Sequence, residues 1–148
     1  MKVNELLKVI HSRNILKISI EDIEENDVNN FINKTKENDD NKNHMELAKI
    51  LKKACRTVDI VGRFGGEEFI AILSETETKG GAIFAEKVRK HVQKARFMYK
   101  GKRIEVTLSA GVAERAKHIS LSGVLNSADE YLYVAKKNGR NRVEYKKK

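Results

Sequence analysis

The apolar residues of the chain follow two different repeats, and each repeat predicts a different secondary structure. Alternate apolar positions within 14–23 and again within 104–112 predict strands, because side chains two residues apart share one face of a sheet. Apolar positions three and four residues apart predict helices over residues 1–10, 43–58, 80–95 and 121–137. Shorter patterns predict strands at 59–64, 69–73 and 143–145, a hairpin within 98–103 and a short helix within 28–32.

The order of these elements intersperses helices among antiparallel strands. This order favours an α+β fold, with helices packed on a sheet, over a doubly wound parallel fold. No internal repeat or second domain is visible, so a single domain over residues 1–148 is predicted. Two helix ends carry local signals. Asn43 and Glu46 have capping-box spacing, and Gly139 fits the left-handed position that follows a helix.

The composition narrows the classes of partner. The 148 residues carry a formal net charge of +9, which favours an anionic partner such as a nucleotide, a nucleic acid or a membrane surface. A single cysteine excludes a disulfide framework and a zinc cluster, so Cys55 is predicted to be a small core residue. No stretch suits a membrane span or a signal-peptide core, and a cytoplasmic location is therefore expected.

The stretch VGRFGGEEFIAIL, residues 61–73, places two carboxylates directly after two glycines. Gly65 and Gly66 suit a tight hairpin turn, and without a Cβ they let a ligand approach the backbone. Glu67 and Glu68 cannot both face one site, because successive strand side chains point to opposite faces of a sheet. On spacing alone, the stretch favours an ordinary hairpin with two solvated glutamates over a ligand site.

Four ordered motifs extend this stretch into a resemblance to a known family. RFGGEEFIAIL resembles the signature of the GGDEF family, the diguanylate cyclases, in its GGEEF form. The preceding R-x-x-D of RTVDIVGRFGGEEF, the strand VTLSAGVA and the segment SADEYLYVAKKNGRNRV are similar to three further family motifs. The resemblance covers residues 46–143, whereas residues 1–44 diverge and look like a degenerate or shortened N-terminal third.

The resemblance implies a fold, a reaction and a set of partners. The fold is a ferredoxin-like palm of the nucleotidyl cyclase type, with a central, mostly antiparallel sheet flanked by helices. The reaction condenses two GTP molecules into cyclic di-GMP and two pyrophosphates, each 3′-hydroxyl attacking the other α-phosphate. It requires Mg²⁺ or Mn²⁺ and a homodimer in which each subunit holds one GTP.

The resemblance also implies the roles of residues near the turn and near the last helix. Glu67 is expected to bind metal and to act as a catalytic carboxylate, and Glu68 to support it. The glycines Gly65 and Gly66 belong to the substrate site. Lys136 and Arg140 match the family's phosphate-contacting pair.

A second site is implied before the glycine turn. Arg56 and Asp59 match the R-x-x-D of the inhibitory product site, where arginine can fork onto a guanine edge or a phosphate and aspartate can accept from guanine nitrogen donors. Lys87 and Arg89 are weaker candidates for a secondary basic contact.

The remaining nucleotide contacts fall in the divergent N-terminal third. The end of the first predicted strand offers Asp22 as the second metal ligand, with the backbone carbonyl of Ile23. A different register offers residues 25–27 instead. Asn33 is the candidate for reading guanine. The family's glycine-rich stretch after it has no clear counterpart, and Asp39 and Asp40 cannot be aligned with confidence to its aspartate.

Three functions remain open on the sequence. An active diguanylate cyclase fits the intact turn, and a non-catalytic receptor for cyclic di-GMP fits the divergent N-terminal third. A basic nucleic-acid binder explains the charge but not the carboxylate turn, and most of the aromatic residues fall in apolar runs rather than on an exposed sheet. We therefore expect neither a nucleic acid as partner nor a membrane segment.

Overall fold

The computed structural model describes residues 14–22, 38–65, 68–116 and 120–147. The helices predicted within 1–10 and 28–32 lie outside these residues. The described elements, in chain order, are β1 (Asn14–Asp22), α1 (Asn38–Ala54), β2 (Ile60–Gly65), β3 (Glu68–Leu73), α2 (Thr78–Lys94), β4 (Phe97–Tyr99), β5 (Lys102–Ile104), β6 (Val106–Glu114), α3 (Leu121–Lys137) and β7 (Val143–Tyr145).

Five strands form the central sheet in the order β2-β3-β1-β6-β7. Strand β1 is antiparallel to both β3 and β6, and β2 is antiparallel to β3. Only β7 is parallel to its described neighbour, β6, because α3 carries the chain back across the sheet between them. Strands β4 and β5 form a separate hairpin. The predicted α+β fold with a mostly antiparallel sheet is confirmed.

Helices cover both faces of this sheet, and the period of two along β3 decides which side chain meets which helix. One core cluster joins β3 and β6 to the inner sides of α1 and α2 through Phe69, Ala71, Leu73, Leu47, Leu51, Ala85, Val88 and Val92. The alternate residues of β3 lie in a second cluster with α3, which contains Ile70, Ile72, Ala113, Val124 and Ala128. Because both faces are covered, Phe69 to Leu73 are all buried.

Strand β6 carries a glycine that sets how closely α3 approaches the sheet. A Cβ added at Gly111 would lie 2.0 Å from the carbonyl oxygen of Ala128 and 2.4 Å from the backbone nitrogen of Leu132. Both atoms belong to the backbone of α3, so no side-chain movement relieves the clash. Glycine at this position therefore determines the height of α3 above the sheet.

The starts of two helices differ from the sequence prediction. Helix α1 begins at Asn38, so the capping box predicted from Asn43 is wrong. The start of α2 is stabilised by a distant carboxylate. Oε2 of Glu114 accepts hydrogen bonds from the backbone N–H of Thr78 at 3.0 Å and from its hydroxyl at 2.7 Å.

The boundaries of α3 agree with the prediction, because its signals are local. The hydroxyl of Ser120 accepts a hydrogen bond from the N–H of Gly123 at 3.1 Å and caps the first turn. Gly139 has a φ of 111°, which confirms the positive-φ residue predicted after the helix.

Among the described helices, none is long and apolar enough to cross a membrane.

Candidate functional site

The strand register brings three chain segments to one end of the sheet, which we call the turn end. Strand β2 finishes there at Gly65 and β3 starts there at Glu68, paired with each other. Glu68 is also paired with Ser19 of β1, which continues three residues further in the same direction to Asp22. The carboxyl end of β1 therefore lies beside the paired ends of β2 and β3.

Helix α3 returns to the same end. Asp22 is paired with Val106, so β6 begins at the turn end and runs away from it. Helix α3 brings the chain back, and β7 begins beside Ala110. The topology therefore directs α3, with Lys136 in its last turn and Arg140 after it, back toward the turn end.

The structure positions the backbone of some predicted site residues and leaves others outside its description. Asp22 is the last residue of β1, and the half-buried Glu68 is the first of β3. Ile23, Asn33, Gly66 and Glu67 lie outside the described residues, as do residues 25–27 of the alternative register. The predicted proximity of the carboxylates of Glu67 and Asp22 therefore stays a prediction. Asp39 and Asp40, which could not be aligned, lie in the first turn of α1.

The end of α3 has the hydrogen bonds of a Schellman motif. The N–H of Arg140 donates to the carbonyl of Ala135 at 3.0 Å, and the N–H of Gly139 donates to that of Lys136 at 3.4 Å. Lys136 is half-buried and Arg140 is exposed. The motif turns the chain sharply after α3, so Lys136 lies in the last turn of the helix and Arg140 lies in the loop that follows it. Such a pair at a helix C-terminus can contact a polyphosphate, and it also complements the helix dipole.

The R-x-x-D segment lies at the opposite end of β2. Its carboxylate is buried and fully engaged: Asp59 Oδ2 accepts from the N–H of Arg56 at 2.9 Å and from Nε at 3.3 Å, and Oδ1 accepts from Nη2 at 3.2 Å. The N–H of Ser74 donates to Oδ1 at 3.3 Å. Because both oxygens are already engaged, Asp59 serves to orient Arg56.

Two further acceptors hold the guanidinium of Arg56. Nη2 donates to the carbonyl oxygen of Ser74 at 2.6 Å and to the hydroxyl of Thr76 at 2.8 Å. Among the described residues, none accepts a hydrogen bond from Nη1. Nη1 therefore presents two N–H donors on an exposed side chain, which suits a guanine edge or a phosphate. Sequence reasoning missed Ser74 and Thr76, since nothing local marks a partner so far along the chain.

Cys55 precedes this segment and is half-buried, so the predicted core position is only partly correct. Burial raises the pKa of its thiol to about 11, and the neighbouring carboxylate of Asp59 adds to the increase. The thiol is therefore protonated at neutral pH and is a poor nucleophile.

The two weaker basic candidates have different surroundings. Lys87 lines a groove of about 580 Å³ between α1 and α2, together with Lys49, Lys53 and Lys94. Arg89 points elsewhere and forms a salt bridge with Glu86, with 2.5 Å between Nη2 and Oε1. The signal for this pairing was in the sequence, since residues three apart on a helix are neighbours.

Comparison with known proteins agrees with this geometry. Residues 42–142 match the family described as diguanylate cyclase, GGDEF domain. Diguanylate cyclase A from Treponema denticola is 43% identical over 103 residues, which are 69% of this chain and 28% of the relative. The chain thus spans little more than a quarter of that protein.

Solved structures of the family have the same fold. The active GGEEF domain of a diguanylate cyclase from Vibrio cholerae has a TM-score of 0.72 and 26% identity, over 92% of this chain and 85% of that one. The GGDEF domain of DgcB from Caulobacter crescentus, in complex with c-di-GMP, has a TM-score of 0.75 and 24% identity, over 90% of this chain and 78% of that one. The predicted palm-like fold is confirmed. With its family match and the four motifs on this fold, the chain belongs to the GGDEF domain family.

Proposed function

We propose that the chain is a diguanylate cyclase domain, which condenses two GTP molecules into cyclic di-GMP and two pyrophosphates. The observation that carries the proposal is the convergence at the turn end. The strand pairing supports it by putting the carboxyl end of β1 beside the paired ends of β2 and β3, and α3 runs back toward this end. A nucleotidyl transfer site needs carboxylates for a metal and cations for phosphates, and the sequence supplies both at this end.

The metal ligands in this proposal are Glu67, Asp22 and the backbone carbonyl of Ile23. All three offer oxygen, which is the donor that Mg²⁺ and Mn²⁺ prefer, and carboxylates at adjacent strand ends are held by a rigid sheet. The described residues contain no cluster of three or more potential metal-binding side chains, and two of these three ligands lie outside them. When bound, the metal neutralises charge that develops on the reacting phosphate.

The remaining roles belong to side chains on either side of the metal ligands. Lys136 and Arg140 hold the triphosphate, and Gly65 and Gly66 let it approach the backbone. Glu67 helps to activate the 3′-hydroxyl, and Glu68, at the start of β3, supports the turn. Asn33 reads the guanine.

A homodimer completes the active site in this proposal, because each subunit holds one GTP and supplies the attacking hydroxyl for the other. The rate per subunit should therefore rise with protein concentration until the dimer is saturated. Initial rates measured over a hundredfold range of concentration, at saturating GTP, test this. A rate per subunit that is constant over the whole range contradicts the dimer requirement.

Product inhibition through Arg56 is the finer part of the proposal. The observation that supports it is the orientation of Arg56 by the buried carboxylate of Asp59. This orientation leaves the two N–H donors of Nη1 without an acceptor among the described residues. Cyclic di-GMP offers guanine and phosphate acceptors to such a group. Asp59 acts there by holding Arg56.

The deciding experiment is incubation of the chain with GTP and Mg²⁺, with the products resolved by chromatography. Glu67→Gln removes the anionic charge and nearly keeps the shape, so turnover should fall by more than about a hundredfold if the carboxylate binds metal. Glu130→Gln removes an equal charge from the exposed side of α3 and serves as the matched control.

The outcomes separate the two candidate functions. Product formation that is lost in Glu67→Gln and kept in Glu130→Gln supports the cyclase. If the unchanged chain forms no product but binds cyclic di-GMP, and Arg56→Ala weakens that binding, the chain is a receptor instead.

A further inference from the structure

The loop after α3 has an unusual backbone at the residues that present Arg140. Gly139, Arg140 and Asn141 have φ values of 111°, 64° and 46°, all positive. Glycine adopts positive φ freely and asparagine tolerates it, but arginine is disfavoured there because its Cβ crowds the backbone. Contacts from the rest of the molecule must therefore hold this loop in place.

Backbone hydrogen bonds hold the loop on both sides of Asn141. The Schellman bonds fix Gly139 and Arg140 to the last turn of α3, and the N–H of Ala110 in β6 donates to the carbonyl of Arg142 at 3.0 Å. None of these bonds uses the side chain of Asn141, which is half-buried.

Arg89 of α2 supplies the contact to that side chain. Its Nη1 donates to Oδ1 of Asn141 at 2.8 Å, although the two residues are 52 positions apart in the chain. The other edge of the guanidinium is held by Glu86, with Nε to Oε2 at 2.9 Å and Nη2 to Oε1 at 2.5 Å. Because the guanidinium is a rigid plane, fixing one edge also fixes the direction of Nη1.

The charge state of this network is stable near neutral pH. The hydrogen bond from Arg89 holds the pKa of the Glu86 carboxyl below its ordinary value, and the nearby charges of Arg89 and Lys90 act in the same direction, against the opposing effect of burial. A charged pair on α2 therefore supports a loop that belongs to the other side of the sheet.

We infer that Arg89 is a positioning residue for the phosphate-contacting pair: through Asn141 it holds the left-handed loop that presents Arg140 beside Lys136. The inference rests on the proposed function, since it concerns how that site holds a triphosphate. It also gives the basic side chain of Arg89 a role that involves no contact with a ligand.

Three substitutions isolate this contact. Asn141→Gly removes the acceptor of Arg89 while leaving a residue that adopts positive φ without strain, so backbone preference is not the variable. Arg89→Lys keeps the positive charge but removes the planar guanidinium, which donates to Glu86 and Asn141 at once. Gln93→Ala is the matched control, because Oε1 of Gln93 accepts from the same Nη1 at 3.2 Å but lies on α2 itself, not on the loop.

Two probes measure binding without turnover. Calorimetry with the α,β-methylene analogue of GTP and Mg²⁺ reports the whole site, and calorimetry with pyrophosphate and Mg²⁺ reports the phosphate contacts alone. We expect Asn141→Gly and Arg89→Lys each to bind both probes about tenfold more weakly, the loss of a charge-assisted contact. The double variant should be no weaker than either single one within about twofold, since one interaction is removed in all three.

The control measurements tell positioning from general destabilisation. Gln93→Ala should bind both probes like the unchanged chain, and Asn141→Gly should bind cyclic di-GMP with unchanged affinity. In turnover, Asn141→Gly should raise the KM for GTP more than it lowers kcat. If Asn141→Gly does not fold, Arg89→Lys against Gln93→Ala gives the same comparison.

Two adverse results have different meanings. If the unchanged chain binds both probes and Asn141→Gly and Arg89→Lys bind them equally well, the positioning role is wrong and the proposed function stands. If the unchanged chain binds neither probe, the proposed function fails and the positioning role fails with it.

Discussion

Two arginine–carboxylate pairs of this chain have the same spacing in sequence and the opposite burial. In the pair of Arg56 and Asp59, the carboxylate side chain is 3% exposed and the arginine 57%. In the pair of Glu86 and Arg89, the arginine is 15% exposed and the carboxylate 39%. The buried member of each pair is enclosed by the rest of the protein, so it is the fixed one. Asp59 holds Arg56 toward solvent, whereas Arg89 is held inside and reaches a loop.

The difference shows that spacing alone does not give a basic residue its role. On sequence, Arg56 and Arg89 were both candidates for contacting a ligand. Among the described residues, none accepts a hydrogen bond from Nη1 of the exposed Arg56, because the other donors of Arg56 are satisfied by Asp59 and by the loop after β3. The donors of Arg89 go to protein acceptors on two elements. An exposed arginine on a buried carboxylate can offer its charge to a ligand. A buried arginine uses its charge to bind groups of the protein itself.

The largest effect on stability is expected for Asp59→Ala. This change removes the acceptor of the backbone N–H groups of Arg56 and Ser74 and the buried partner of the exposed Arg56 guanidinium, so the free energy of unfolding should fall by about 2–3 kcal/mol. Urea unfolding measures it. Glu130→Ala, on the exposed side of α3, should change stability by less than about 0.5 kcal/mol. Equal losses in the two variants would contradict a fixed role for Asp59.

The next largest effect is on ligand binding. Arg56→Ala removes the outward donors and should weaken cyclic di-GMP binding about ten- to a hundredfold, as the loss of a charge-assisted contact does. Calorimetry measures the affinity. Arg103→Ala removes the same charge from an exposed position on β5 and should leave the affinity within about twofold. Similar losses for both arginines would mean that net charge, and not a site, attracts the ligand.

Replacing each arginine by lysine tests the comparison directly. Arg89→Lys should lower the free energy of unfolding by about 1–2 kcal/mol, because an ammonium cannot keep both oxygens of Glu86 and Asn141 together. Arg56→Lys makes the same change on an exposed side chain and should cost less than about 1 kcal/mol. Urea unfolding of both variants gives the two values. If the order is reversed, burial does not distinguish the two pairs.

The smallest effect is a dependence of stability on pH. The pKa of Glu86 is lowered from 4.5 in the folded chain, chiefly by the hydrogen bond from Arg89. The charged Glu86 carboxylate therefore stabilises the fold fully at pH values above its pKa in the unfolded chain. This stabilisation is lost as the pH falls through its pKa in the folded chain. The stability difference between the unchanged chain and Glu86→Gln should shrink as pH is lowered from 5 toward 3. A difference that stays constant over this range would show that the charge of Glu86 does not stabilise the fold.

The sequence by itself determined the elements whose signals are local. The limits of α3 and its terminal Gly139 follow from side-chain periodicity and from backbone sterics. The alternating apolar residues at 104–112 predicted a strand, which the structure has as β6 at Val106–Glu114, with Ile104 in β5. The family motifs also follow from the chain alone, since each is a short run of residues. For the same reason the strands on either side of the glycines were predicted within one residue of β2 and β3.

The tertiary structure decided everything that depends on residues far apart in the chain. The cap on α2 comes from Glu114, two acceptors of Arg56 come from the loop after β3, and the contact of Arg89 lies beyond α3. Gly111 is explained only by the backbone of α3 above it. A sequence pattern records which residues are neighbours within one element. The burial of a charge depends on which other elements pack over it, and that is fixed only when the sheet and helices assemble.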